Sequence, residues 1–207
     1  MVESDQGQRR DGRLAKAMKL NLGCGQSKVP GFVNVDKFGE PDVRHDLELF
    51  PWPWPDNHFV EVRAIHVLEH LGKDADNFIG VMKELYRVCA GGARIQVTVP
   101  HPRHDNFLSD PTHVRPITPL LMSLFCRRLN LIWQAQGAAN SPLALYHQVD
   151  FEVRSVNFAL DEPYHGEFLA GRLSEDEVQR LLRECNNVAS EIRMELEAIK
   201  TAGPVSG

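Results

Sequence analysis

A glycine-rich turn between two short apolar segments constrains this chain more than any other feature. Residues 20–25 read LNLGCG, and residues 32–36 read FVNVD. The pattern predicts a buried strand, a tight turn, and a second strand with the Asp36 carboxylate at its tip. Glycine accepts a positive φ and lets a ligand approach the backbone. Ligands of open α/β sheets bind beyond the carboxyl ends of the strands, so the turn and Asp36 predict a nucleoside pocket. A tight turn without a ligand is the alternative.

Strand and helix patterns alternate along the first half of the chain. Apolar segments at 18–22, 43–47, 60–67 and 93–99 are typical of strands, and 74–89 has the periodicity of an amphipathic helix. Strands that alternate with helices indicate an α/β fold. The expected architecture is a doubly wound, mostly parallel sheet.

The second half predicts three further elements. Thr118-Pro119 begins a helix that runs to about Arg128, and residues 151–160 alternate as in a strand. Ser174 and Glu177 form a capping-box pattern at the start of a long C-terminal helix that extends to Lys200. The apolar positions of this helix step by three or four residues: Val178, Leu181, Cys185, Val188, Ile192, Leu196 and Ile199. So wide a stripe is expected to pack on the domain itself or on a partner chain.

Five segments arrive in the order typical of one enzyme family, and the chain resembles the class I S-adenosylmethionine-dependent methyltransferases over about residues 19–100. The segments are LNLGCG, FVNVD, HDLELFPWPWPDNHFVEV, AIHVLEHL and ELYRVCAGGARIQVTVP. The chain departs from the family at Asn21, where many members carry an acid, and at Val60, where an acid is frequent. The usual long helix between the first two strands is also missing. The resemblance implies a Rossmann-like fold, S-adenosyl-L-methionine as the cofactor, and methyl transfer as the activity.

The first strand, its turn and the tips of the next strands supply the predicted cofactor site. The resemblance implies that Asp46 and Leu47 lie against the adenine and that His66 lines the cavity near the methionine moiety. A turn-capping role for Asp46 and a strand-end role for His66 are the alternatives. The predicted cofactor-binding residues are Asn21, Gly23, Cys24, Gly25, Asp36, Asp46, Leu47 and His66.

Candidate catalytic residues follow the fourth and fifth predicted strands. Glu69 could orient a side chain or act as a base, and His101 and His113 are base candidates in a histidine-rich loop. A polar lid held by an Asx turn at Asp110 is one alternative for this loop. A metal site using His101, His104, His113 and an aspartate is another. The spacing matches no metal signature, so the site prediction includes no metal.

Bulk composition limits the partners that this chain is expected to have. The chain has 207 residues and a net charge of −5, which does not favour nucleic acid. The sequence contains no apolar run of membrane-spanning length and no signal peptide, so cytoplasmic residence without a membrane partner is expected. We predict a small-molecule or saccharide acceptor. A non-catalytic, cofactor-binding partner in an assembly is the alternative function.

Domain organisation is predicted in three parts. Residues 1–16 are polar and are expected to form a disordered tail, residues 17–172 form the methyltransferase domain, and residues 173–200 form the C-terminal helix. That helix would pack on the domain or make a homodimer possible.

Overall fold

The computed structural model describes residues 18–200, in which seven strands form one sheet. The strands are β1 (Met18–Leu22), β2 (Val33–Asp36), β3 (Val43–Arg44), β4 (Phe59–Ile65), β5 (Cys89–Pro100), β6 (Phe151–Leu160) and β7 (Ala189–Ala198). Their order across the sheet is β3-β2-β1-β4-β5-β7-β6. Strands β1 to β5 run parallel to one another, whereas β7 runs antiparallel to both β5 and β6. The predicted mostly parallel sheet is confirmed.

The strand order reverses between β1 and β4. The chain adds β2 and β3 on one side of β1, then returns to place β4 and β5 on its other side. Leu20 and Leu22 of β1 pair with Val62 and Ala64 of β4, and all four side chains are buried. Strands covered on both faces carry such apolar runs. The carboxyl ends of β1 and β4 therefore mark the position where a doubly wound sheet binds its ligand.

Seven α-helices lie within the described residues. They are α1 (Ala75–Val88), α2 (Asp105–Leu108), α3 (Pro119–Ser123), α4 (Arg127–Ala135), α5 (Leu143–His147), α6 (Tyr164–Leu169) and α7 (Glu175–Glu184). Helix α1 connects β4 to β5, and its N-terminus is capped by Asp74, which accepts the Asn77 N–H at 2.8 Å. A single 3₁₀ turn covers Leu68–His70. Among residues 18–200, no helix has the length and apolarity needed to cross a bilayer.

Loops alone connect β1, β2, β3 and β4 in the described chain. The segment before β4 fills part of the space that a crossover helix would occupy. Trp52 is 2% exposed, belongs to the main hydrophobic core, and donates its indole N–H to the Leu47 carbonyl at 3.0 Å. The short connection between the first two strands agrees with the sequence, and it leaves the β1–β3 half of the sheet dependent on loop packing.

The predicted long C-terminal helix is wrong. Helix α7 begins after Ser174 with the expected capping box but ends at Glu184, and residues 189–198 form β7, which lies between β5 and the edge strand β6. Ile192 and Leu196 are buried because they face the core from a strand, not from a helix. A spacing of four residues fits the period of a strand as well as that of a helix. The apolar stripe is therefore shared between two elements.

This correction removes the basis for a homodimer through the final helix. The apolar residues of β7 pack inside the same sheet, between β5 and β6. The predicted boundary at residue 173 does not separate a helix from the sheet, because the residues after it include β7. The predicted helix from Thr118 to Arg128 is also divided, into α3 and α4. The predicted tail at 1–16 lies outside the described residues.

Candidate functional site

A cavity of about 570 Å³ lies where the strand order reverses. Its walls come from Gly23 after β1, residues 36–38 at the end of β2, residues 45–48 after β3, His66, Val67, His70, Leu71 and Lys73 after β4, and Pro111, Thr112 and Val114 of the loop that follows β5. Each segment leaves the carboxyl end of a parallel strand, or lies in the loop beyond it. The volume is in the range of small-molecule sites.

The turn after β1 is held tightly against β2 and β4. Gly23 has φ +56°, and a Cβ at this position would overlap the side chain of Val67. The Cys24 N–H donates to the Val35 carbonyl at 3.0 Å. The Gly25 N–H donates to Oδ2 of Asp36 at 2.8 Å. Both the positive φ and the contact with Val67 require glycine at position 23.

Asp36 presents a fixed carboxylate to the cavity. Besides the bond from Gly25, its Oδ1 accepts the Phe38 N–H at 2.8 Å. A carboxylate has about four acceptor positions, so two remain after these backbone bonds. Phe38 itself lines the same cavity and is 69% exposed. The tip of β2 therefore offers an acceptor pair beside an uncovered aromatic ring.

Asp46 and Leu47 form the wall next to this tip. Oδ1 of Asp46 accepts the Glu48 N–H at 3.1 Å, while its Oδ2 lies 3.4 Å from Nζ of Lys37. The carboxylate thus caps its own turn and also borders the cavity. Leu47 is buried and adds an apolar surface there.

His66 ends β4 in a left-handed conformation, with φ +52°. Its Nδ1 lies 3.4 Å from Oε1 of Glu69, and its Nε2 lies 3.1 Å from Oε1 of Glu191. The pKa of His66 is raised, first by its interaction with Glu69 and further by Glu191, against the opposing effect of burial. The cavity wall at this point therefore favours a protonated imidazole.

Three predicted cofactor residues lie behind the cavity wall. The side chain of Asn21 is buried and donates to Oδ1 of Asn34 at 2.9 Å and to the Ser27 carbonyl at 3.1 Å. Cys24 is buried, and burial, followed by the charge of Asp36, raises the pKa of its thiol. Gly25 contributes its N–H to Asp36. These residues shape the turn, whereas Gly23, Asp36, Asp46, Leu47 and His66 line the cavity.

Glu69 and His113, two of the three catalytic candidates, lie together beside the cavity. One donor atom each from Glu69, His70 and His113 lies within 4.8 Å of the other two. His70 is part of the cavity wall. The ring of His113 stacks on Phe107, with the centroids 5.3 Å apart, and its Nδ1 lies 2.9 Å from the Phe107 carbonyl. The loop after β5 thus meets the segment after β4.

His101, the third catalytic candidate, does not line the cavity. It is 8% exposed, its N–H donates to the Ser190 carbonyl, and its Nδ1 accepts the Arg103 N–H at 3.3 Å. Burial, with smaller effects from His104 and Arg103, lowers the pKa of His101. Nε2 of His104 lies 2.7 Å from Oδ2 of Asp161. These contacts hold His101 and His104 on the side of the loop that faces β6 and β7.

Sequence reasoning missed several residues of the cavity wall, and three of them illustrate why. Phe38, His70 and Thr112 all line it. Phe38 follows Asp36 by two positions, and an exposed aromatic beside a predicted nucleoside pocket is a usable signal. The position of His70 at a loop-to-helix joint favours a structural role instead. Thr112 enters the wall only because the loop after β5 folds back over the carboxyl end of β4, which no local pattern predicts.

Solved structures with a similar fold include several S-adenosylmethionine-dependent methyltransferases. One such enzyme from Archaeoglobus fulgidus matches with a TM-score of 0.55 and 17% identity, over 87% of this chain and 86% of that chain. The YcgJ protein of Bacillus subtilis matches at 0.49 and 14%, over 91% and 95% of the two chains. A methyltransferase from Mesorhizobium loti matches at 0.45 and 14%, over 87% and 90%. No family model and no curated protein sequence matches the chain. The chain therefore has the class I methyltransferase fold.

Proposed function

We propose that this chain is an S-adenosyl-L-methionine-dependent methyltransferase that acts on a small-molecule or saccharide acceptor. The observation that carries the proposal is the Asp36 carboxylate, which two backbone amides hold in the wall of the cavity. A ribose presents two adjacent hydroxyls, and the two free acceptor positions of this carboxylate match them. The fold alone is shared with many proteins, so the site must carry the functional argument.

The cavity wall offers a place for each part of the cofactor. Asp36 would accept the ribose hydroxyls, while Leu47 and Asp46 would border the adenine. Phe38 is exposed beside them and could stack on the base. Gly23 leaves room at the turn for the methionine moiety. His66 would lie on the methionine side as well.

Methyl transfer requires little from the protein beyond alignment. The methyl group of a sulfonium is already electrophilic, so the protein has to hold the acceptor in line with the methyl–sulfur bond. An acceptor hydroxyl must also lose a proton, and a positioned base typically contributes 10²–10⁴-fold. Glu69 and His113 are the candidates, because both lie beside the cavity wall. His101 is less suited, since its contacts hold it on the other side of the loop.

The decisive experiment measures cofactor binding and turnover separately. Calorimetry should detect binding of S-adenosylmethionine and S-adenosylhomocysteine to the full chain. Charged hydrogen bonds contribute about 1.5–3 kcal/mol each. Asp36→Ala is therefore expected to weaken binding by roughly tenfold or more, at about 1.4 kcal/mol per decade. Asp36→Asn, which keeps the size and one acceptor oxygen, should lose less.

Two controls make the result specific. Glu40→Ala removes an exposed acid from the loop after β2, outside the cavity wall, and should leave the affinity unchanged. Unchanged affinity in a folded Asp36→Ala variant would contradict the proposed site. Transfer of a labelled methyl group to the small-molecule fraction of a cell extract tests the acceptor class. Cofactor binding without any transfer would favour the non-catalytic alternative.

A further inference from the structure

We propose that Glu69, His70 and His113 form a binding site for a divalent transition-metal ion, such as Zn²⁺, at the edge of the cavity. Among the described residues, these three side chains are the one group of histidine, cysteine or acidic residues whose donor atoms converge, all within 4.8 Å of one another. Two imidazoles and one carboxylate suit zinc and related ions, whereas Mg²⁺ and Ca²⁺ prefer oxygen ligands.

Glu69 provides the strongest indication that something is bound here. Its side chain is 1% exposed, and within residues 18–200 neither of its carboxylate oxygens has a hydrogen-bond partner. Its ion-pair partner among these residues is His66, with Nδ1 3.4 Å from Oε1, which leaves Oε2 without a partner. A buried carboxylate is normally paired, hydrogen-bonded or bound to a metal. A cation between Glu69 and the two histidines would satisfy it.

Hydrogen bonds that His70 donates to Thr112 leave the lone pair of the imidazole on its other nitrogen. Nδ1 of His70 lies 3.0 Å from the Thr112 hydroxyl and 3.3 Å from the Thr112 carbonyl. That hydroxyl donates its own proton to Oδ1 of Asp110 at 2.6 Å, so it can only accept from His70. Nδ1 must therefore carry the proton in the neutral imidazole, and Nε2 is left with the lone pair that a metal requires.

His113 is fixed in the same tautomer. Its Nδ1 donates to the Phe107 carbonyl at 2.9 Å, which leaves the lone pair on Nε2. The nearest acid, Asp110, is 3.8 Å from Nε2 and thus too distant for a hydrogen bond. Metal-binding histidines typically donate their other N–H to a carbonyl or carboxylate in this way. Both histidines of the group show the arrangement.

The backbone keeps the two donor segments together. The Val114 and Arg115 N–H groups donate to the Glu69 carbonyl at 2.9 and 3.3 Å. The guanidinium of Arg115 also donates to the Gly72 carbonyl at 3.0 Å. These bonds attach the loop after β5 to the segment after β4. Around a tetrahedral zinc ion with bonds near 2.1 Å, the donor atoms would lie about 3.4 Å from one another. They already lie within 4.8 Å of one another, so small side-chain rotations are sufficient.

Three protein donors leave a coordination position for a water or an acceptor oxygen. His70 lines the cavity, so that position borders the space where the acceptor would lie. A Glu69 or His113 side chain bound to the metal cannot also take a proton from the acceptor, so metal binding would replace their role as bases. The proposed metal site does not depend on methyl transfer, because it follows from the three side chains alone.

Metal binding can be measured without any activity assay. Full-length protein, stripped with a chelator and titrated with Zn²⁺ in a Cys185→Ser background, should bind one equivalent per chain. His70→Ala and His113→Ala should each lower the Zn²⁺ affinity at least 10–100-fold. Loss of a residue that only supports a metal ligand typically has an effect of this size, and loss of the ligand itself should cost no less. His165→Ala removes an exposed histidine remote from the group and serves as the matched control. Visible absorption of Co²⁺-loaded protein reports imidazole coordination.

Glu69→Gln distinguishes a ligand from a packing residue. It keeps the size of the side chain while removing the buried charge, so the metal-free variant should melt at the same or a higher temperature than wild type. The rise in melting temperature that Zn²⁺ gives to the wild type should disappear. Equal Zn²⁺ affinity in all three variants, or no binding to wild type at micromolar Zn²⁺, would overturn the proposal. A wild-type chain that binds Zn²⁺ but not S-adenosylmethionine would instead contradict the proposed methyltransferase function.

Discussion

Gly23 is a residue of the cavity wall at which a small substitution should have a large local effect. Its φ of +56° costs a non-glycine residue about 1–2 kcal/mol, and a Cβ would overlap Val67, which is buried. We expect Gly23→Ala to lower the free energy of unfolding by about 2–4 kcal/mol, measured by urea denaturation. The sequence predicts ligand approach at this glycine, and the structure adds a packing reason.

Two variants separate the causes at this turn. Gly25 has φ +48°, but a Cβ there would point into open space, so Gly25→Ala should show only the conformational cost. Combining Gly23→Ala with Val67→Ala should recover part of the loss, because the most closely overlapping atom, Cγ2 of Val67, is removed. If Gly23→Ala and Gly25→Ala are equally stable, then contact with Val67 does not determine the turn.

At the scale of single residues, the sequence identified those site residues whose position in the backbone depends on the strand pattern next to them. Asp36 and Gly23 stand at strand ends, so a strand pattern was sufficient to locate them at the cavity. Asn21 and Cys24 belong to the same segment, yet strand alternation and the turn direct them into hydrogen bonds and the core. Glu69 and His113 are joined by a loop that folds back over the sheet. No local pattern determines such a contact.

At the scale of elements, the last helix and strand show where periodicity is ambiguous. The capping box at Ser174 predicted the start of α7 correctly. The end was missed, although Asn187 adopts φ +57°, a conformation that asparagine tolerates better than most residues. Beyond it, buried and less buried positions alternate along β7. Met194 does not fall on the apparent helical stripe. It completes the strand alternation, because it lies between Ile192 and Leu196 and is buried as they are.

Burial of Leu196 tests the assignment of β7. Leu196 is fully buried and pairs with Ile95 of β5 and Val153 of β6. Truncation of such a side chain typically costs about 2–5 kcal/mol, so Leu196→Ala should lower the unfolding free energy by that amount. Glu195→Ala, on the opposite face, should change it by about 0.5 kcal/mol or less. Equal effects at the two positions, measured by denaturant titration, would contradict a strand with one face in the core.

At the scale of the whole molecule, alternation of strand and helix patterns was enough to predict the class of sheet. It could not predict the position of β7 between β5 and β6, because antiparallel pairing of the last strands depends on contacts distant in sequence. The cavity follows from the predicted part, since the reversal of strand order lies between β1 and β4. The proposed acceptor side depends on the unpredicted part, where several tertiary hydrogen bonds hold the loop after β5.

Removal of everything after residue 173 should therefore unfold the chain. Such a truncation deletes β7, which hydrogen-bonds to β5 on one side and β6 on the other, and it exposes the apolar faces that Ile192 and Leu196 cover. An unpaired interior strand edge is prone to aggregation. We expect loss of the cooperative thermal transition by circular dichroism, with aggregation by light scattering. The intact chain, measured in parallel, should give one cooperative transition. A truncated chain that remains folded and monomeric would show that the sheet is complete without β7.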